Sequence, residues 1–167
     1  WENREYFARG RIAWLAGCLR QVNAKPKSVL DFGCGIASTY RFFFDLLGAE
    51  SVVGVDNSPK SLDVARRTYG LNRAQFTLVT EYRPNEEIDL AFCNGVFHHI
   101  PRALRVSAVD FIYRSLRRGG FFAFWENNPW NPGARYVMSC IPFDRDAVTL
   151  TPRQARHLLM TGGFNVL

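Results

Sequence analysis

The sequence has no apolar run approaching the ~18 residues that span a bilayer, and no secretory signal pattern is recognisable in it. A membrane partner is therefore not expected. Cysteine is sparse: Cys18, Cys34, Cys93 and Cys140 are widely spaced and form no CxxC pair. That excludes a disulfide framework and a cysteine zinc site, so a reduced, cytoplasmic compartment is the default and no metal is expected. Internal repeats and low-complexity tracts are missing as well. Acidic residues number 15 against 21 basic ones, a net charge of +6, which raises the question of nucleic acid. The basic residues are scattered, however. Arg66-Arg67 and Arg117-Arg118 each fall near the end of a helical pattern, where cations favour the helix dipole. No basic stripe with interleaved aromatics is present, so nucleic acid is not an expected partner.

What is present is ordinary for a globular protein: 167 residues, 47% hydrophobic and 22% charged. That length fits one domain with a sizeable core. Residues 2–22 read as an amphipathic lead-in helix with Tyr6, Ile12, Leu15 and Leu19 among its apolar positions. Apolar segments then alternate with helical ones. Strands are expected at 28–32, 51–55, 75–79, 88–93 and 121–125. Helices are expected from about Ile36 to Leu47 before Gly48, from Ser58-Pro59 to Tyr69, from Pro101 to Arg118 before Gly119-Gly120, and from Thr151 to Met160. Ser58-Pro59 carries N-cap and first-turn chemistry, and Thr151-Pro152-Arg153-Gln154 is a capping box. Phe164 to Leu167 reads as the start of a sixth strand. Alternation with nearly continuous apolar strands implies a parallel sheet covered on both faces. In such sheets ligands bind at the carboxyl ends of the strands.

The first strand ends in Asp31-Phe32-Gly33-Cys34-Gly35. A Gly-x-Gly turn lets a ligand lie on backbone amides, because no Cβ intervenes. A helix starting at once would add its free N–H groups and positive dipole end. A dinucleotide fingerprint would place a third glycine at Ser38. The charge of Asp31 would also repel a pyrophosphate and welcome a cationic or amine-bearing ligand. Asp56, ~20 positions beyond the turn and at the end of the second strand, is placed to accept hydrogen bonds from two ribose hydroxyls.

The stretch Val29-Leu30-Asp31-Phe32-Gly33-Cys34-Gly35 resembles the first motif of the class I S-adenosylmethionine-dependent methyltransferases, and Asn94-Gly95-Val96-Phe97-His98-His99 resembles their fourth. The resemblance runs from Val29 to Phe164. It implies an α/β fold, a three-layer Rossmann-like doubly wound, mainly parallel sheet. The family sheet has seven strands, and the expectation is that this sequence lacks the last of them. With a first residue Trp1 rather than Met, the expectation is a fragment of a longer protein, whose sheet would otherwise carry an exposed edge. The domain expected is a single methyltransferase domain over 1–167, with a lead-in helix at 1–22 and a substrate-side loop and cap at 127–150. Within that cap, Ala134-Arg135-Tyr136-Val137-Met138 reads as helical.

The resemblance implies that Asp31, Gly33, Cys34, Gly35, Asp56, Asn57, Thr80, Asn94 and Gly95 bind S-adenosylmethionine and its product S-adenosylhomocysteine. Asn57 would reach the adenine side, and Asn94 and Gly95 the sulfonium and methionine portion. Thr80 departs from the pattern, since an acid commonly stands there; Glu81, next to it, is expected to point elsewhere. The implied activity is transfer of the sulfonium methyl to an oxygen or nitrogen of a small molecule by in-line displacement, helped by alignment and exclusion of water. If the acceptor must lose a proton, His98, His99 and Glu126 are the candidate catalytic bases. Neighbours on a helical turn point ~100° apart, so one histidine of the pair is expected to face the cavity. Phe97, Phe121, Phe122 and Trp125 are read as core. Asn128-Pro129-Trp130 follows the fifth strand, not the fourth, and is read as a proline-stiffened loop lining the substrate side. Two alternatives stand beside this reading. One is an NAD-type oxidoreductase on a similar sheet, the other a cofactor-binding domain without turnover.

Overall fold

The strands expected from the apolar segments form one five-stranded sheet in the order β3-β2-β1-β4-β5. A computed structural model describes residues 2–70, 73–141, 144 and 146–167. The strands are β1 (Ser28–Phe32), β2 (Ser51–Asp56), β3 (Ala74–Leu78), β4 (Ile88–Asn94) and β5 (Leu116–Trp125). β1 pairs in parallel with both β2 and β4, and β2 with β3, with Asp31 opposite Gly54 and Phe92. The order steps from β1 to β4, so the winding direction reverses at β1, and ligand sites in such sheets form at that switch.

The chain divides into two compact units: Trp1–Cys93 with Ser115–Ala123, and Asn94–Arg114 with Phe124–Leu167. The first holds the sheet up to Cys93 and Ala123, with α1 (Glu2–Gln21), α2 (Tyr40–Leu47) and α3 (Pro59–Tyr69). Helix α1 buries Ala8, Ile12, Leu15, Ala16 and Leu19, a one-face stripe at helical spacing. Tyr6, expected on that face, is exposed. Helix α1 packs on α2, and α3 packs on β2 and β3. Ser58 caps α3 by accepting from the Ser61 amide at 3.2 Å, and Gly48 closes α2 with a left-handed φ of 67°. Asp89 gathers the amides of Lys27 (2.7 Å) and Ser28 (2.9 Å) on Oδ2 and the Arg117 guanidinium on Oδ1. This ties the start of β1 to β4 and β5.

Arg117-Arg118 is thus not a helix end. A 3₁₀ turn (Arg102–Leu104) leads into α4 (Arg105–Ser115), and β5 follows at Leu116. Gly119 bends that strand with a φ of 76°. A Cβ on Gly120 would stand 3.0–3.2 Å from the carbonyls of Arg117, Ile88 and Asp89. The glycine pair therefore serves close backbone approach to β4 and does not stop a helix. Among the expected core aromatics Phe97 is fully buried, whereas Phe121, Phe122 and Trp125 are half-buried, since β5 is the outer strand of this sheet.

The second unit holds a 3₁₀ turn (Phe97–His99), the turn and helix just described, α5 (Pro132–Cys140) and α6 (Pro152–Thr161). Asn131 caps α5, and both halves of the Thr151/Gln154 capping box are made. Residues 164–167 carry no regular structure. A strand exists only through ladder pairing, and Phe164 instead packs edge-on against Tyr113 at 5.3 Å. A Cβ on Gly162 would stand 2.2 Å from Val109 Cγ1, so this glycine lets the end of α6 lie against α4. No helix among the described residues is long and apolar enough to cross a membrane.

Candidate functional site

Two groups of the expected residues are each assembled within one unit. In the first unit the turn after β1 is coiled more tightly than the motif suggested. Gly33, Gly35 and Ala37 have φ of 76°, 54° and 60°, the left-handed region. This interrupts the helix expected from Ile36, so α2 begins at Tyr40. The turn's amides are also not free. Gly33 and Cys34 both donate to the Val55 carbonyl (2.8 and 3.1 Å), and Gly35 donates to Asp56 Oδ2 at 2.8 Å. What the glycines leave is room: nothing lies within 4 Å of the place a Gly35 Cβ would occupy.

Asp56 ends β2 with both oxygens engaged, Oδ2 on Gly35 and Oδ1 on the Ser58 amide at 2.8 Å. One carboxylate thus fixes the turns after β1 and β2 together, while each oxygen keeps a further lone pair. Asn57 beside it is exposed. Thr80 is exposed in the turn after β3. Glu81 turns back to accept the Thr77 hydroxyl at 3.0 Å.

Asp31 is 4% exposed and accepts the Thr39 hydroxyl at 2.8 Å. Burial pushes its carboxyl up to about 7; the Thr39 hydrogen bond opposes this and the charge of Asp56 adds to it. The fixed negative charge expected at this place is therefore a group divided between neutral and ionised forms near pH 7. A cation beside it would restore the charge. Burial, with Asp31 and Asp56 nearby, raises the Cys34 thiol far above its ordinary value, so Cys34 packs here as a neutral group.

In the second unit Gly95 takes a φ of 69° and donates its amide to the Trp125 carbonyl at 2.8 Å; Asn94, just before it, is half-buried. The following 3₁₀ turn carries both histidines. Glu126 accepts the amides of Val96 (2.9 Å) and Phe97 (2.6 Å) on Oε1 and faces His98 Nδ1 at 2.6 Å with Oε2. His98 is almost fully buried, and His99 keeps 24% of its side-chain surface. The two rings stack at 4.0 Å and 49°. Both reach one oxygen, Asp144 Oδ1, from Nε2 at 3.7 Å (His98) and 3.2 Å (His99). The expectation that the pair diverges is corrected, because the tight turn and the ring contact bring both imidazoles to one carboxylate. Burial lowers the His99 pKa, His98 lowers it further, and Asp144 and Glu126 oppose.

Three residues that shape these two groups are not legible in the sequence as site residues, or only faintly so. Thr39 and Asp144 lie in no local pattern with their partners. Gly54 had a signal, a glycine inside an apolar strand: a Cβ there would stand 2.6 Å from Phe76 Cδ1 and 2.9 Å from Cys34 Sγ.

The family described as "Methyltransferase domain" matches residues 29–120. A trans-aconitate 2-methyltransferase of Rhizobium rhizogenes is 32% identical over 95 residues, 56% of this chain and 36% of that protein. One of Methylobacterium nodulans is 30% identical over 126 residues, 74% and 48% respectively. The chain thus spans less than half the length of these curated relatives. The crystal structure of a SAM-dependent methyltransferase from Archaeoglobus fulgidus shares the fold with a TM-score of 0.70, at 18% identity over 92% of this chain and 69% of that one. These findings favour a sulfonium cofactor over the nicotinamide alternative. The Asp-x-Gly-x-Gly turn, the acid at the end of β2 and the family match over residues 29–120 agree: the chain belongs to the class I S-adenosylmethionine-dependent methyltransferases.

Proposed function

We propose that this chain takes part in methyl transfer from S-adenosylmethionine to an oxygen or nitrogen of a small molecule, with a carboxylate as the first acceptor class to test. The observation that carries the reading is Asp56 clasping the Gly35 amide at 2.8 Å. It sets a carboxylate with spare lone pairs beside an open glycine cradle. The residues present fit the cofactor: a methyl group on Gly35 would project into that open space, and the buried Asp31 gains most from a cationic neighbour. Asp56 would hold the ribose and Asn57 the adenine side. Gly33, Cys34 and Gly35 would shape the cradle, with Asp31 toward the ammonium group. Thr80, Asn94 and Gly95 are proposed as further contacts. When bound, the cofactor supplies an electrophilic methyl on a sulfonium that departs as a neutral thioether.

The relatives named trans-aconitate 2-methyltransferase suggest a carboxylic acid as acceptor. Such an acid is already ionised at neutral pH, so its oxygen needs no base and the protein's task is to align it and exclude water. This suits the second unit. Both Glu126 oxygens are occupied by Val96, Phe97 and His98, which makes Glu126 a positioning residue and not a free base. His98 is held by it, and His99 is the more accessible imidazole should an acceptor need to lose a proton.

The test is calorimetric titration with S-adenosylhomocysteine and, in parallel, NAD, followed by mass spectrometry of small di- and tricarboxylic acids incubated with S-adenosylmethionine. Micromolar binding of S-adenosylhomocysteine, no binding of NAD and a methyl ester product are expected. Binding of NAD alone would overturn the reading in favour of an oxidoreductase. Binding of S-adenosylhomocysteine with no methylated product from any acceptor would leave a cofactor-binding domain without turnover.

A further inference from the structure

The spacing of the cysteines gives no reason to expect a metal. Folding changes that. One ring nitrogen each of His98 and His99 and one carboxylate oxygen of Asp144 lie within 4.8 Å of one another. The two measured gaps to the shared oxygen are 3.2 and 3.7 Å. Donors bound to one ion at the ~2.0–2.1 Å of a zinc–nitrogen or zinc–oxygen bond stand roughly 3–3.5 Å apart in a tetrahedral site. The two gaps to Asp144 therefore lie at or just beyond ligand spacing, and a modest approach of the three groups would close on an ion.

Hydrogen bonding sets the orientation of His98. Glu126 Oε1 accepts two backbone amides, and Oε2 faces His98 Nδ1 at 2.6 Å. The carboxylate has only acceptors to offer, so Nδ1 carries a proton and Nε2 is the nitrogen left to a metal. Nε2 stands 3.7 Å from Asp144 Oδ1, an oxygen of a side chain only 10% exposed. A proton on either Nε2 serves one histidine–Asp144 contact. A cation placed among the three serves all of them. A carboxylate that fixes the remote nitrogen of a ligating histidine also orients the ring and raises its basicity. Glu126 stands in that relation to His98, and the amides of Val96 and Phe97 fix Glu126 in turn.

We propose that His98, His99 and Asp144 form a binding site for one divalent d-block cation of the zinc class, with Glu126 as the outer carboxylate that orients His98. Two imidazoles and one carboxylate suit zinc, cobalt or nickel; magnesium and calcium prefer oxygen ligands throughout. Three protein ligands leave a coordination position for water or another oxygen. The site lies wholly within the second unit and does not depend on the methyl-transfer reading.

The test uses the chain without an affinity tag, stripped with chelator and dialysed, then titrated with Zn²⁺ by calorimetry and with Co²⁺ by visible absorption. One ion per chain is expected, with the d–d bands of a four- or five-coordinate cobalt site. Asp144→Asn and His99→Gln should each weaken Zn²⁺ binding by more than about tenfold, and Glu126→Gln by roughly 10–100-fold. His157→Gln and Cys140→Ser, exposed alternatives elsewhere on the chain, should bind as the parent does. Circular dichroism separates loss of ligand from loss of fold. If Asp144→Asn is unfolded, His99→Gln and the parent's cobalt spectrum decide. No saturable binding, a stoichiometry far from one, or affinity unchanged in a folded Asp144→Asn or His99→Gln would each overturn the site.

Discussion

Thr39 donates its hydroxyl to Asp31 Oδ2 at 2.8 Å, joining the last strand residue but one of β1 to the residue that precedes α2. Asp31 is buried, and its carboxyl is raised from 3.8 to about 7, mainly by burial. Between those values the folded state holds a proton that the unfolded state has released. Stability therefore falls as pH rises from about 4 to 7, and the deficit is fully developed above 7. The span corresponds to a change on the order of 4 kcal/mol. In Asp31→Asn this part of the pH dependence is expected to vanish. Urea midpoints at pH 5 and pH 8 check it; equal slopes with pH in the two proteins would show that Asp31 ionises without cost. A cationic ligand beside Asp31 would also displace its proton, so the binding enthalpy of S-adenosylhomocysteine near pH 6.5 should vary with the ionisation enthalpy of the buffer.

The same substitution at two glycines should separate a packing effect from a binding effect. At Gly54 a Cβ would stand 2.6 Å from Phe76 Cδ1 and 2.9 Å from Cys34 Sγ. Gly54→Ala is then an overpacking change that costs about 1–3 kcal/mol and lowers the melting temperature. At Gly35 the space is open but φ is 54°, so Gly35→Ala costs only the left-handed strain of about 1–2 kcal/mol. Its methyl would occupy the proposed cradle. Thermal melts and S-adenosylhomocysteine titration together check this. Gly35→Ala should lose affinity beyond what its stability explains, and unchanged affinity would place the ligand elsewhere.

Much of this was legible in the sequence because it is local. The apolar runs at 28–32 and 51–55 set the strands, and Ser58-Pro59 and Thr151-Gln154 cap helices within four residues of themselves. The acid at Asp56 lies at a fixed offset from the glycine turn. Legibility failed where a distant partner decides. Arg117 reads as a helix-end cation until Asp89 claims it for the sheet. The turn at 35–39 reads as helix until Asp56 holds the Gly35 amide. His98 and His99 read as divergent until Asp144, far along the chain, draws both to one oxygen. The aromatic residues of β5 read as core because hydrophobicity alone cannot say which strand is outermost.

Asp89 should confer acid-sensitive stability. Burial pulls its pKa upward, but the hydrogen bonds from Arg117, Ser28 and Lys27 outweigh this and hold it below 3.8. A depressed carboxylate contributes above its unfolded pKa and loses that contribution as pH falls through the folded one. Asp89→Asn is expected to cost about 1–3 kcal/mol at pH 7, with the gap to the parent narrowing once pH drops below about 4. Denaturation at pH 7, 4 and 2.5 measures it. A gap that stays constant with pH would assign the cost to packing and not to charge.

Glu126 discriminates two consequences of one side chain. Glu126→Ala leaves the amides of Val96 and Phe97 and the His98 ring without their acceptor inside the protein. Unsatisfied buried donors cost about 1–3 kcal/mol each, so a destabilisation of several kcal/mol is expected. In Glu126→Gln the amide oxygen can still accept from Val96 and Phe97, which keeps the 3₁₀ turn capped. Its NH₂ group, however, then faces His98 Nδ1, and a donor there requires the ring to accept. The proton must move to Nε2, toward Asp144, where it would occupy the position proposed for a cation. The glutamine variant should therefore fold with a modest loss of stability, show the other imidazole tautomer in nitrogen-15 spectra, and bind Zn²⁺ more weakly. If His98 keeps its proton on Nδ1 in that variant, Glu126 does not set the tautomer, and its part in orienting the ring falls with it.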